Sequence, residues 1–170
     1  MKKQVLNIDK PLWVIRAGLS SAAHDLFIKK RLIVLMEQEM GDLRALPKER
    51  QAFYSAFQLK HAGEAIQATS GIGGKFFRFI HEVKIGDYIL YPCRIDMKIY
   101  FGVVTGPYCY TASRREFPHS RRVVWKTSFP KKALSLFARR ELNTARTFFV
   151  LKNNADEIRG QISTVIKVRK

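Results

Sequence analysis

Up to residue 86, short runs of alternating apolar residues are interrupted by stretches in which apolar residues return every three or four positions. Leu12 to Arg16 (LWVIR) reads as a strand, with Leu12, Val14 and Arg16 on one face and Trp13 and Ile15 on the other. It ends at Ala17-Gly18. Ser20 or Ser21 is placed to cap a short helix to about Lys30 with Ala23, Leu26 and Phe27 as its stripe, and Leu32 to Met36 follows as a second strand. Gly41-Asp42 marks a loop. Pro47 opens a longer surface helix, with Leu46 at its entrance and Phe53 and Phe57 four apart. The run TSGIGG (69–74) breaks that helix, and Phe76, Phe79, Ile80 and Val83 have the i, i+3, i+4, i+7 spacing of another.

Beyond Gly86-Asp87 the period becomes two. Tyr88 to Arg94, Ile99 to Val104 and Arg122 to Lys126 carry the β-branched and aromatic residues that strands favour, with Ile95 to Lys98 as a hairpin connection. Ser113 to His119 reads as a charged loop. Pro130 to Leu142 reads as a helix with Leu134, Phe137 and Leu142 inward, and Phe148 to Leu151 as a final strand. Asn153 or Asn154 caps a last helix to about Ile166, with VIKVRK as a frayed end or linker stub. The fold class is α+β, a small curved mixed sheet flanked by helices. A chain of 170 residues has room for one sizeable core.

Charge changes the picture. The formal net charge is +17, and residues 101–170 hold 15 Lys and Arg against 4 Asp and Glu, which supplies +11 of it. A field of that size concentrates polyanions at the surface, so nucleic acid is the first partner to expect. Tyr91, Tyr100, Tyr108, Tyr110 and Trp125 lie on or beside strands among that charge, as stacking faces for bases or as core. Arg94, Arg114, Arg115, Arg121 and Arg122 offer forks for phosphate, and His119 beside them is a phosphate donor or a turn residue. Arg16 ends the first strand next to Gly18, where a ligand can approach backbone amides.

Little points to catalysis. The four histidines have no metal-ligand spacing. The run Gly71 to Lys75 fails the phosphate-loop pattern, with Thr69 five positions before Gly74 and Phe76 after Lys75. Glu82-Val83-Lys84 has the spacing of a nuclease ExK motif, but at the end of an amphipathic helix it reads as a solvated face. Cys93 and Cys109, each in a predicted strand, are expected as reduced, packed thiols. The expectation is therefore a non-enzymatic binding module without metal or cofactor. With no leader-like segment and no run of about 18 apolar residues, it is expected to be soluble and cytoplasmic, with no membrane partner.

The ordered series WVIRAG, GDL, GGKFFRFIHEVKIGDYILYP, YFGVVTGPYCY, HSRRVVW and TFFVL resembles the N-terminal domain of many Mrr-type restriction endonucleases, itself similar to the EVE, YTH and PUA-like small β-barrels. The resemblance covers about Leu12 to Leu151. It implies a PUA/EVE-like nucleic-acid-binding domain over 1–152, followed by a C-terminal helix or linker over 153–170. Such a domain is implied to read a modified or flipped base, DNA before RNA, in a restriction or defence system, and to guide a nuclease or motor subunit or a fused catalytic domain. Carried over by position, the cleft takes in Arg16, Ala17 and Gly18, Ser70, Gly74 and Lys75, and Tyr91 and Pro92, while His119, Arg121 and Trp125 match a His-x-Arg-x-x-x-Trp element. The family usually places Gly-Trp shortly before its GDL, where this chain has Met36 and Glu37. No nuclease half follows, so the chain is expected to be a stand-alone reader or the front module of a longer protein. The alternative is a protein-interaction or regulatory domain on the same fold, with a basic docking surface and no base pocket.

Overall fold

The computed structural model describes residues 6–18, 20–63 and 73–168. At its centre the apolar run LWVI forms strand β1 (Leu12–Ile15), buried along its whole length. Alternation along the strand sends its side chains to two different cores. Trp13 and Ile15 pack with Phe27, Phe57, Phe76 and Phe79, and Leu12 and Val14 with Leu90, Phe101, Leu142 and Ile158.

On one side β1 runs parallel to β3 (Tyr88–Pro92), with Trp13 opposite Ile89. On the other it runs antiparallel to β7 (Phe148–Val150), with Trp13 opposite Val150. The full order is β2 (Leu32–Leu35), β6 (His119–Pro130), β4 (Lys98–Val104), β3, β1 and β7, with the short β5 (Cys109–Tyr110) branching from β6. The result is a mixed sheet curled into a half-barrel.

Strand β6 joins the two parts of that sheet. Its residues His119 to Arg122 pair with β2, and those from Val123 to Pro130 pair with β4. Lys126 is an extra residue between the pairs Gly102–Trp125 and Phe101–Thr127, a bulge that bends the strand and increases its twist. Gly102 permits the close approach there, since a Cβ would lie 2.8 Å from Trp125 Cε3 and 2.9 Å from the Val124 carbonyl oxygen.

The first core is covered by α1 (His24–Ile28), α2 (Arg50–Lys60) and α3, which is α-helical over 73–77 and continues as a π turn over Arg78–Glu82. The second is covered by α4 (Leu136–Leu142) and α5 (Ala155–Val168), whose Ala138, Leu142, Ile158 and Ile162 are fully buried. Glu141 accepts the backbone N–H groups of Lys152, Asn153 and Asn154 at 2.9, 3.0 and 3.0 Å, placing a carboxylate at the positive end of α5. Glu157 of α5 in turn accepts from Ser135 N and Oγ at the start of α4, at 2.6 and 2.7 Å. Residues Ala155–Val168 thus form a helix built into the second core.

Three local expectations are corrected. The strand expected over Arg122 to Lys126 extends from His119 to Pro130. The helix expected over Pro130 to Leu142 is split into a 3-10 turn, Lys131–Ala133, an extended Leu134, and α4 capped by Ser135. That break shifts the helical phase, so Leu134 and Leu142 are buried but Phe137 is 71% exposed. Cys93 is a packed thiol, whereas Cys109 is exposed; both are free. Among the described residues no helix is long and apolar enough to cross a membrane.

Gly102→Ala is expected to destabilise by about 1–3 kcal/mol through overpacking at the bulge. Gly160→Ala in α5, where a Cβ meets nothing within 4 Å, should stabilise by about 0.5–1 kcal/mol. Urea denaturation midpoints of the two variants should therefore move in opposite directions.

Candidate functional site: a small cavity with a basic rim

The ends of β1 and β2, with the start of α3, enclose a cavity of about 300 Å³. Most of its wall is apolar, from Ala17 and Gly18 after β1, Ala23 before α1, Val34 to Met36 at the end of β2, and Phe117 from the loop before β6. Polar groups enter from Arg16, Ser20, Glu37, Lys75 and Thr147. A volume at the low end of ligand pockets, apolar with a few polar groups, suits one planar heterocycle rather than a large cofactor. Gly18 turns the chain with φ +84°, and a Cβ there would lie 3.8 Å from Met36 Sδ.

Glu37 and Lys75 form the charged part of the wall. The Lys75 ammonium donates to Glu37 Oε1 at 3.2 Å; burial pushes its pKa down and Glu37 opposes that shift. Glu37 adopts φ +83°, a left-handed conformation that a non-glycine residue holds only with support. That support comes from His119, fully buried at the start of β6, whose Nε2 lies 3.0 Å from the Glu37 carbonyl oxygen. His119 Nδ1 is 2.8 Å from the Tyr108 hydroxyl, which accepts the Leu43 N–H at 3.3 Å. The network assigns a neutral imidazole, donating from Nε2 to the carbonyl and accepting at Nδ1 from the phenol. Burial depresses the His119 pKa accordingly.

Two groups of cations adjoin the cavity. Lys75 and Thr147 also line a groove of about 860 Å³ with Arg50, Arg78, Arg146 and Lys152. Burial lowers the Arg78 pKa most, and the like charges of Arg50 and Arg146 lower it further against the pull of Glu82. Arg50 also pairs with Glu82, whose expected solvated role is in this way partly taken up. The second group reaches the cavity through Arg16. Burial and then Arg94 lower the Arg16 pKa, and Lys131 is lowered by burial and then by Arg16, Arg94 and Arg139. Lys98, Lys131, Lys132, Arg139 and Arg140 line a further hollow of about 480 Å³.

Of the residues singled out from sequence, Arg16, Ala17, Gly18 and Lys75 meet in the cavity. Ser70 lies outside the described residues. Gly74 is buried where α3 meets α2, with a Cβ position 3.1 Å from the Tyr54 hydroxyl. Tyr91 and Pro92 are buried in β3, Tyr91 only 1% exposed, with its hydroxyl 3.0 Å from His24 Nδ1 and its pKa pushed up by burial. Trp125 donates its indole N–H to the Phe27 carbonyl at 2.7 Å. Arg121 is buried, donating from Nε to Phe79 O at 2.7 Å, from Nη2 to Ile80 O at 2.9 Å and from Nη1 to Gly106 O at 3.2 Å. Burial takes its pKa to about 10, so it stays charged at neutral pH. Tyr91, Trp125, His119 and Arg121, read above as ligand contacts, therefore hold the fold and do not line the cavity.

At the surface, Arg94, Arg115 and Arg122 are exposed, and Arg114 donates to Ser120 Oγ at 3.0 Å from the loop that supplies Phe117. Sequence reasoning missed Phe117 and Thr147 on the wall and Arg50, Arg78, Lys131, Arg139 and Arg146 on the rim. They come from segments far apart in the chain, and no local pattern announces them. The described residues also bring together one group of metal-competent donors, Glu37, Glu39 and His61.

A family model described as a domain of unknown function (DUF8426) matches residues 13–152, well over half of the chain. The chain belongs to the DUF8426 family. No curated protein and no solved structure matches it. The DUF8426 match takes in every cavity-lining residue and both basic groups, and it stops before α5.

In this DUF8426 member the buried imidazole makes stability acid-sensitive. The folded His119 pKa lies below the ordinary 6.5, so between those values the unfolded chain binds a proton that the folded chain does not. The contribution is complete above about pH 6.5 and is lost as pH falls toward the folded value. His81, shifted the same way by burial, adds to it. Denaturant-derived stability at about pH 7.5 and about pH 5.5 should fall less for His119→Gln than for the parent chain. Arg121→Met, which leaves three carbonyls without their donor, should cost more than about 2 kcal/mol in the same assay.

Proposed function

We propose that this chain is a nucleic-acid-binding module, DNA before RNA, that grips the phosphate backbone with its two cation groups and admits one base to the small cavity. The observation that carries this reading is the crowding of like charges. Beyond the effect of burial, Arg94 lowers the pKa of Arg16, Arg16, Arg94 and Arg139 lower that of Lys131, and Arg50 and Arg146 lower that of Arg78, a repulsion that a polyanion relieves. A half-barrel mixed sheet flanked by helices is also what the PUA/EVE-like resemblance implies.

In the cavity, the Glu37 carboxylate is an acceptor for an exocyclic amine and the Lys75 ammonium a donor to a ring nitrogen or carbonyl. Met36 lines the cavity with a soft, apolar thioether, and Glu37 brings a carboxylate where the resembling family has an indole, so this wall is not a stacking plate. The module acts by binding, and chemistry on the nucleic acid belongs to a nuclease or motor partner or a fused catalytic domain.

Fluorescence anisotropy with labelled DNA and RNA, single-stranded and duplex, unmodified and carrying methylated adenine or cytosine, tests the reading at two or more salt concentrations. Affinity should fall linearly on a log–log salt plot, and Arg146→Ala should reduce the slope by about 1 for all sequences. Ala22→Trp, at an exposed cavity-lining position, should abolish preference among bases while leaving the salt-dependent part. Equal binding of every oligonucleotide, insensitive to Ala22→Trp, would instead favour docking of an acidic protein partner on the same basic surface.

A further inference from the structure

Spacing along the sequence offers no metal site, yet the fold assembles a donor set from three backbone settings. Glu37 follows β2 in its left-handed conformation, Glu39 lies in the 3-10 turn Gln38–Met40, and His61 ends α2. One ligand atom from each lies within 4.8 Å of the other two. The imidazole is fixed by stacking on Phe57, with ring centroids 4.0 Å apart and planes at 22°, and its Nε2 sits 3.3 Å from Glu39 Oε1. Carboxylate oxygens of Glu37 and Glu39 thus face each other within 4.8 Å. Two carboxylates in contact repel unless a proton or cation lies between them. Lys75 neutralises one of them from its position on Glu37 Oε1.

We propose that Glu37, Glu39 and His61 bind a divalent transition-metal ion, zinc in preference to magnesium or calcium. One imidazole nitrogen with two carboxylate oxygens is a borderline donor set, matched to zinc and its neighbours, whereas magnesium and calcium favour all-oxygen shells. Three protein ligands leave a position open for water or another oxygen donor. Two carboxylates balance the charge of the dication, and the ion takes up the repulsion between them. The ion and Lys75 draw on the same Glu37 carboxylate, so loading shifts the charge of the cavity wall toward positive.

The test uses metal alone, so its result is independent of what the cavity accepts. The chelator-treated full chain is titrated with Co²⁺, read by visible d–d absorption, then with Zn²⁺ in competition, with Mg²⁺ and Ca²⁺ as controls. One equivalent of Co²⁺ should bind, Zn²⁺ should displace it, and Mg²⁺ and Ca²⁺ should not. Glu39→Gln, a near-isosteric change at an exposed position, should weaken binding by more than the ~10-fold that follows loss of an outer-shell partner. His61→Ala should do the same; if it fails to fold for want of the Phe57 stack, Glu39→Gln decides. Absence of stoichiometric uptake, or equal uptake by the parent chain and Glu39→Gln, overturns the proposal.

Discussion

A guanidinium buried among carbonyl oxygens, with no carboxylate among the described residues in hydrogen-bonding contact, ties the sheet to the helix that bears the cavity's lysine. Arg121 reaches from β6 to Phe79 and Ile80 in the π turn of α3 and to Gly106 beyond β4. Carbonyls at a helix C-terminus lack partners within the helix, and a cation there also meets the negative end of the helix dipole. His119 lies two residues earlier on β6, hence on the same face, and holds Glu37 in its left-handed conformation. One face of one strand thus fixes α3, which carries Lys75, and the residue that Lys75 pairs with. The cavity's polar pair is positioned by two side chains that never line it.

The rim follows a different logic. Cations there are gathered from the end of β1, α2, α3, the turn after β6, α4 and the approach to β7; burial and then neighbouring cations lower the pKa of Arg16, Arg78 and Lys131, while Arg50 also pairs with Glu82. Such crowding costs stability in the free protein. The two cores carry the burden of stability, one on each face of the sheet, which leaves the loops at the strand ends to serve the cavity.

Much of the fold was legible because its strands alternate cleanly: β1, β2, β3 and β4 lie where period-two runs of apolar residues stand. The N-terminal half of β6 was not legible, because His119, Ser120 and Arg121 are polar and buried, and polar runs read as loops until their partners are known. Phe137 escaped prediction for another reason, since helical phase depends on where the helix begins, and Ser135 rather than Pro130 sets it. Of the site, Arg16, Ala17, Gly18 and Lys75 were visible through the resemblance. The aromatic walls expected of Tyr91 and Trp125 were not realised, because their polar atoms are used by His24 and the Phe27 carbonyl inside the core.

The pairing of β1 with β7 bears on how the chain reaches this state. Trp13 and Val150 are register partners across more than a hundred residues, and the other neighbour of β1 is the distant β3. No local hairpin can therefore shelter this wholly apolar strand as it emerges. Loop-closure entropy must be overcome before its contacts form, which makes for slow folding of high contact order. Until β7 arrives, LWVI is an unpaired hydrophobic edge, so the nascent chain is most exposed to aggregation at the segment that the finished protein buries most completely.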